Sequence, residues 1–217
     1  MSLNALLYPS PPLPAAAQRL IALHGWGANA QDLVSLAPSL NLKNWQLYFP
    51  NAPMLHPQSP GGRMWYDLST QEGLESSRQQ LTDWIQPSNE PTGEASGAIA
   101  STLSNIPLNR TVLAGFSQGG AMTLDVGIHL PLAGLIVLSG YLHPPAIRPL
   151  PQTFPPILMI HGRQDPIVPL AAAQSARDTL TKAGAVVEYH EFDMGHEIQP
   201  QVLALIQGFV TQLGIAD

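Results

Sequence analysis

Short apolar runs recur along the chain at residues 19–24, 46–49, 111–114, 135–138, 157–161 and 186–192. Each has the length of a buried strand, and stretches with helical periodicity lie between most of them. The helical stretches are 30–40, 74–85, 93–105, 119–129, 170–183 and 200–213. In the last, Val202, Leu205, Ile206, Phe209, Val210 and Leu213 recur at offsets of three and four, which gives one apolar face, while Gln201, Gln207 and Gln212 fall on the wet side. Thr181-Lys182-Ala183-Gly184 ends its helix with a cation in the final turn and a glycine able to take positive φ. Strands alternating with helices predict a mostly parallel central sheet with helices on both faces. Leu135, Ile136, Val137 and Leu138 are apolar at every position, as a strand covered on both faces should be, and are expected near the middle of that sheet.

Two proline-rich segments break the pattern, 51–62 and 142–156, each following a strand. Loops over strand ends are where an open α/β sheet takes its ligand, so both are expected to wall a cleft. No internal repeat or boundary interrupts residues 1–217, which read as one domain. With 45% hydrophobic residues the chain can bury a continuous core, and its 18 glycines and 22 prolines fit loops rather than low complexity. Nine Lys and Arg against 15 Asp and Glu leave no basic stripe for nucleic acid. The chain has no cysteine, which removes disulfides, thiolate metal sites and a cysteine nucleophile. The N-terminal residues lack a basic region followed by an apolar core, and no run is long enough to span a bilayer, so a cytoplasmic location without membrane insertion is expected.

The chemistry gathers around Gly115-Phe116-Ser117-Gln118-Gly119-Gly120, a G-x-S-x-G placed after one strand and before a helix. A strand-to-helix turn tight enough to lift a serine Oγ above the sheet requires glycine on both sides of it. Serine attacks only when a positioned base takes its proton, and the order Ser, acid, His narrows the choice. Of the seven histidines, His24 and His56 precede the nucleophile, His129 ends the helix that Ser117 starts, His161 ends a strand and His190 lies inside one. His196, in the loop Asp193-Met194-Gly195-His196-Glu197 between the last strand and last helix, is the expected base. Asp165 follows the preceding strand in a loop stiffened by Pro166 and is the expected acid. Its rival Asp193 is so close to His196 that a turn or cap is its readier role. An oxyanion hole needs two main-chain N–H groups. Gln118, next to the nucleophile, supplies one; Trp26 in His24-Gly25-Trp26-Gly27 is expected to supply the other.

At these segments the chain resembles the phospholipase/carboxylesterase family of α/β-hydrolases, which includes acyl-protein thioesterases and lysophospholipases. LHGWG, FPNAP, MWYDL, GFSQGG, LSGYL, HGRQDPIVP and GHEI carry the likeness and together span most of the chain. The resemblance implies the α/β-hydrolase fold, catalytic roles for Ser117, Asp165 and His196, and an oxyanion hole at Trp26 and Gln118. It further implies substrate contacts at Trp65 and Leu142. The implied substrate is a small-molecule ester or thioester, an acylated protein or a lysophospholipid, cleaved through an acyl-enzyme. Trp26 stands where this family often has leucine, and residues 69–91 are longer and less regular than usual, the length of a lid. No His-x-x-x-His pair recurs on a helix face, so neither a metal nor another cofactor is expected. A dienelactone hydrolase would need a cysteine; a silent binding protein of the same fold would be expected to lose the Ser, the His or an elbow glycine.

Overall fold

The computed structural model describes residues 3–9, 16–86, 106–144 and 149–214. Seven strands form one sheet in the order β1-β3-β2-β6-β7-β8-β9. They are β1 (Ala5–Tyr8), β2 (Gln18–Leu23), β3 (Trp45–Pro50), β6 (Thr111–Phe116), β7 (Gly134–Leu138), β8 (Ile157–Gly162) and β9 (Val187–Phe192). Only β1 runs antiparallel to its neighbour; the other pairings are parallel. All six predicted strands are present, and β7 is buried along its whole length beside the central strand β6. β1 is an addition, a four-residue edge strand whose pattern is too short to stand out. A two-stranded hairpin, β4 (Met54–Leu55) and β5 (Arg63–Met64), folds the first proline-rich segment back on itself.

Alternation of side chains sends successive strand residues to opposite faces. Ile21, Leu113, Leu135, Val137 and Met159 pack on one side, against helices α3 (Leu74–Ile85), α4 (Gln118–Gly127) and α5 (Leu170–Lys182). Leu20, Val112, Ile136, Leu138 and Ile160 face the other, under α1 (Ala30–Val34), α2 (Ala37–Leu40) and α6 (Pro200–Gln212). Every residue of α4 is buried.

The single helix expected over 30–40 is two short ones. Asn29 caps α1, its side chain accepting from Gln31 N–H at 2.8 Å. Pro38, in the first turn of α2, has no N–H to give and tolerates only that early position, so the two helices stay separate. The helix expected at 93–105 lies outside the described residues, as does the end of the 69–91 segment; its earlier part is a turn built on Asp67 followed by α3. Among the described residues no helix is long and apolar enough to cross a membrane.

From β2 the chain steps to β3 on one side, and from β6 it steps through β7, β8 and β9 on the other. The order therefore reverses between β2 and β6, and in an open α/β sheet the crevice beyond the strand ends at such a reversal is the place for a ligand.

Candidate active site

That crevice is flanked by the two glycine-rich loops singled out in the sequence. Ser117 joins β6 to α4 with φ 57° and ψ −120°, a conformation a side-chain-bearing residue rarely adopts. The strain is held from both sides: Ser117 N–H donates to Leu138 O at 2.8 Å, and Ala121 N–H to Ser117 O at 3.0 Å. The flanking glycines are required by contact. A Cβ on Gly115 would stand 2.1 Å from Gly119 O, and one on Gly119 would stand 2.2 Å from Leu23 O.

Asp165 follows β8, and its Oδ2 accepts from His196 Nδ1 at 2.7 Å. Its other oxygen accepts from Ile167 N–H and Val168 N–H, both at 2.8 Å. Burial works against the charge on Asp165, but the His196 bond and the two main-chain donors outweigh it and hold the carboxyl below the ordinary carboxylate range. A carboxylate only accepts, so His196 carries its proton on Nδ1 and leaves the Nε2 lone pair free for a substrate proton. His161 sits beneath, its Nε2 2.8 Å from Val168 O, and so pins the turn that supplies the donors to Asp165. The rival Asp193 is committed elsewhere, 2.8 Å from Arg163 Nη1, and His190 pairs with Glu188 at 2.8 Å. Phe116, beside Ser117, packs its ring on His196 with centroids 4.7 Å apart. No hydrogen bond joins Ser117 to His196; catalytic hydrogen bonds of this kind commonly tighten only around a seated substrate.

The loop after β2 is fixed by its neighbours. Gly27 N–H donates to Arg63 O at 2.9 Å and Ala28 N–H to Gly25 O at 3.3 Å, while Trp26 N–H has no acceptor among the described residues. Gln118 N–H opens α4 and has no carbonyl one turn behind it. His24 Nε2 accepts from Ala52 N–H at 3.0 Å, so its proton is on Nδ1, directed at Gly25 O 2.8 Å away. Burial holds the His24 imidazole below its ordinary pKa, and the ring stays neutral. The Trp26 indole is 42% exposed and meets His56 edge-on, the ring centroids 4.1 Å apart.

One sequence expectation changes character. Trp65 is fully buried; its indole N–H donates to His24 O at 3.0 Å and its main-chain N–H to Gln118 Oε1 at 2.9 Å. Trp65 presents no exposed face for the expected substrate contact, and instead ties the loop after β2 to the start of α4. Leu142 is half-buried and packs against the core. Sequence reading passed over a buried polar cluster of Arg78, Asp125, His143, Tyr66 and Tyr141. Its one available signal was Asp125, a charge set in an otherwise apolar helix, Ala-Met-Thr-Leu-Asp-Val.

Comparisons with known proteins point to one family. The family model described as phospholipase/carboxylesterase matches residues 10–213. An acyl-protein thioesterase 1 of Neurospora crassa is 29% identical, the match covering 93% of this chain and 91% of that one. The esterase YpfH of Escherichia coli is 31% identical over 87% of this chain and 79% of its own. Among solved structures, esterase PE8 superposes with a TM-score of 0.82 at 25% identity, covering 98% of this chain and all (100%) of that one.

Proposed function

The chain belongs to the phospholipase/carboxylesterase family of the α/β-hydrolase fold, and on that premise we propose that it is a serine hydrolase that cleaves carboxylic esters or thioesters through an acyl-enzyme. The observation that carries the reading is the 2.7 Å Asp165–His196 bond beside the strained Ser117, with the main-chain N–H groups of Trp26 and Gln118 left without partners among the described residues. As His196 Nε2 takes the Ser117 proton, Oγ attacks the acyl carbon. The carbonyl electrons move onto oxygen, where the two N–H groups stabilise them. His196 then passes its proton to the departing alkoxide or thiolate, and an acyl ester remains on Ser117. Water repeats the sequence: it gives a proton to His196, attacks the acyl carbon and frees the acid, and Ser117 regains its hydrogen.

Relatives named as acyl-protein thioesterases and esterases bring both leaving groups within reach of this site. The exposed Trp26, Leu55 and Leu68, on segments beyond the ends of the main-sheet strands, favour an apolar acyl group. A fluorophosphonate that labels active serines should modify the wild-type protein once, at Ser117. Ser117→Ala should lose the label and lower turnover of nitrophenyl acetate by about 10³-fold or more while keeping its circular dichroism spectrum. Retention of more than a few per cent of the wild-type rate by that variant would remove the assignment.

A further inference from the structure

Behind the nucleophile lies a chain of buried polar groups that the hydrolytic steps do not use. Asp125 stands in α4 two turns after Gln118, and so on the same side of the helix. Arg78 of α3 grips its carboxylate through Nε and, at 3.0 Å, through Nη2. His143, from the segment after β7, places Nδ1 3.4 Å from Asp125 Oδ1 and Nε2 3.1 Å from the Tyr66 hydroxyl, which also meets the Tyr141 hydroxyl. The main chain of the same segment forms a second attachment. Tyr66 O accepts from Gln118 Nε2 at 2.7 Å, and Trp65 N–H donates to Gln118 Oε1 at 2.9 Å.

Residues 65 and 66 are thus clamped to α4 at two points, one at the first residue of the helix and one two turns along it. The clamp is organised around the Asp125 charge. Burial disfavours charge on Asp125, but His143 and Arg78 outweigh it and keep its carboxyl below the ordinary range. The Asp125 carboxylate faces His143 Nδ1 at 3.4 Å, an ionic approach longer than the other links, while His143 Nε2 is hydrogen-bonded to the Tyr66 hydroxyl, which shares a second hydrogen bond with the Tyr141 hydroxyl. A buried ion pair is a poor choice for stability alone, since apolar residues of the same volume often do as well or better. What it adds is a fixed charge that holds His143 in place and, through the His143–Tyr66 hydrogen bond, holds Tyr66 as well.

The geometry points to Asp125 and His143 as positioning residues for the oxyanion hole: acting through Tyr66, they hold residues 65 and 66 so that these fix the Gln118 carboxamide and aim the Gln118 main-chain N–H. The inference rests on the serine mechanism proposed above. Catalytic donors lose much of their effect when displaced by about an ångström, so loosening the clamp acts on the chemical step and leaves ground-state binding nearly untouched.

The test uses nitrophenyl acetate, with kcat expressed per folded molecule and thermal unfolding measured alongside. Tyr66→Phe and His143→Phe should each lower kcat about tenfold with KM within about twofold, and should slow fluorophosphonate labelling of Ser117 by the same factor. His143→Gln, whose amide can both donate to Asp125 and accept from Tyr66, should recover most of the loss. A double variant of Tyr66→Phe with Gln118→Ala should be no slower than Gln118→Ala alone, because the hydroxyl acts through that carboxamide. If the phenylalanine variants lower only the unfolding temperature, fail to fold while His143→Gln folds with reduced kcat, or combine additively with Gln118→Ala, the inference is overturned. Ser117→Ala separates the two levels: an active alanine variant removes the serine mechanism itself, whereas an inactive one beside a normal Tyr66→Phe removes only the clamp.

Discussion

Asp165 and Asp193 lie on adjacent loops within reach of the same histidine, and their partners separate them: one accepts from His196 and two main-chain N–H groups, the other from exposed Arg163. Asp165→Asn should therefore cost at least about 10² in kcat, whereas Asp193→Asn should cost less than about threefold, since an exposed ion pair contributes little. Steady-state kinetics on one nitrophenyl ester decide it, and the reverse ranking transfers the acid to Asp193. Trp26 divides likewise into indole and main chain. The indole is exposed against His56, so Trp26→Ala should keep acetyl ester hydrolysis within about tenfold. Trp26→Pro removes the N–H and should cost about 10² or more on every ester, provided the fold persists by circular dichroism. Equal losses in both variants on the acetyl ester would mean that the ring itself is required. Ser117, Asp165 and His196 could be singled out in the chain as candidates because chemistry restricts their types and order. Trp65 could not, because a motif does not say whether a tryptophan faces the crevice or the core beneath it.

At the scale of elements, the loop from His24 to Ala28 depends on a histidine that must stay uncharged. Burial places the folded pKa of His24 below its ordinary value of 6.5, so between the two the unfolded chain binds more protons than the folded one. The contribution of His24 is complete above that ordinary value and declines as pH falls through the window beneath it. The unfolding temperature should drop between pH 7 and pH 5, and less steeply in His24→Gln, which can still donate and accept; parallel slopes in the two proteins would remove His24 from the account. Asp165 has the same sign in a lower window: its folded pKa lies below 3.8, so its share is present above that value and disappears as pH falls through the folded one. The elements themselves were mostly legible, because period-two and period-3.6 patterns survive in buried segments. The exceptions have local causes: Pro38 divides a pattern that otherwise reads as one helix, and β4 and β5 are two residues each, too brief to carry a period.

For the molecule as a whole, what the chain did not disclose was adjacency. Strand identity follows from runs of apolar residues, but the reversal of order between β2 and β6 arises from packing and has no local signature. That reversal sets the Trp26 loop beside Ser117. Among the described residues five large hydrophobics are exposed, and Trp26, Leu55, Leu68 and Ile167 lie on segments beyond the carboxyl ends of parallel strands, the side to which Ser117 projects. Replacing Leu55 and Leu68 together by Ser should lower kcat/KM for an octanoyl ester about tenfold more than for an acetyl ester, since only the longer chain can cover them. An equal effect on both esters would remove this rim from substrate recognition. The complete burial of α4 has a kinetic counterpart. Amide hydrogens there should exchange with solvent only when the whole molecule opens, whereas those of the loops bearing His196 and Trp26 should exchange through smaller, more frequent openings. Mild denaturant would then separate hydrolysis from unfolding, with activity failing first as the loops open around a Ser117 still rooted in the slowest-exchanging segment of the protein.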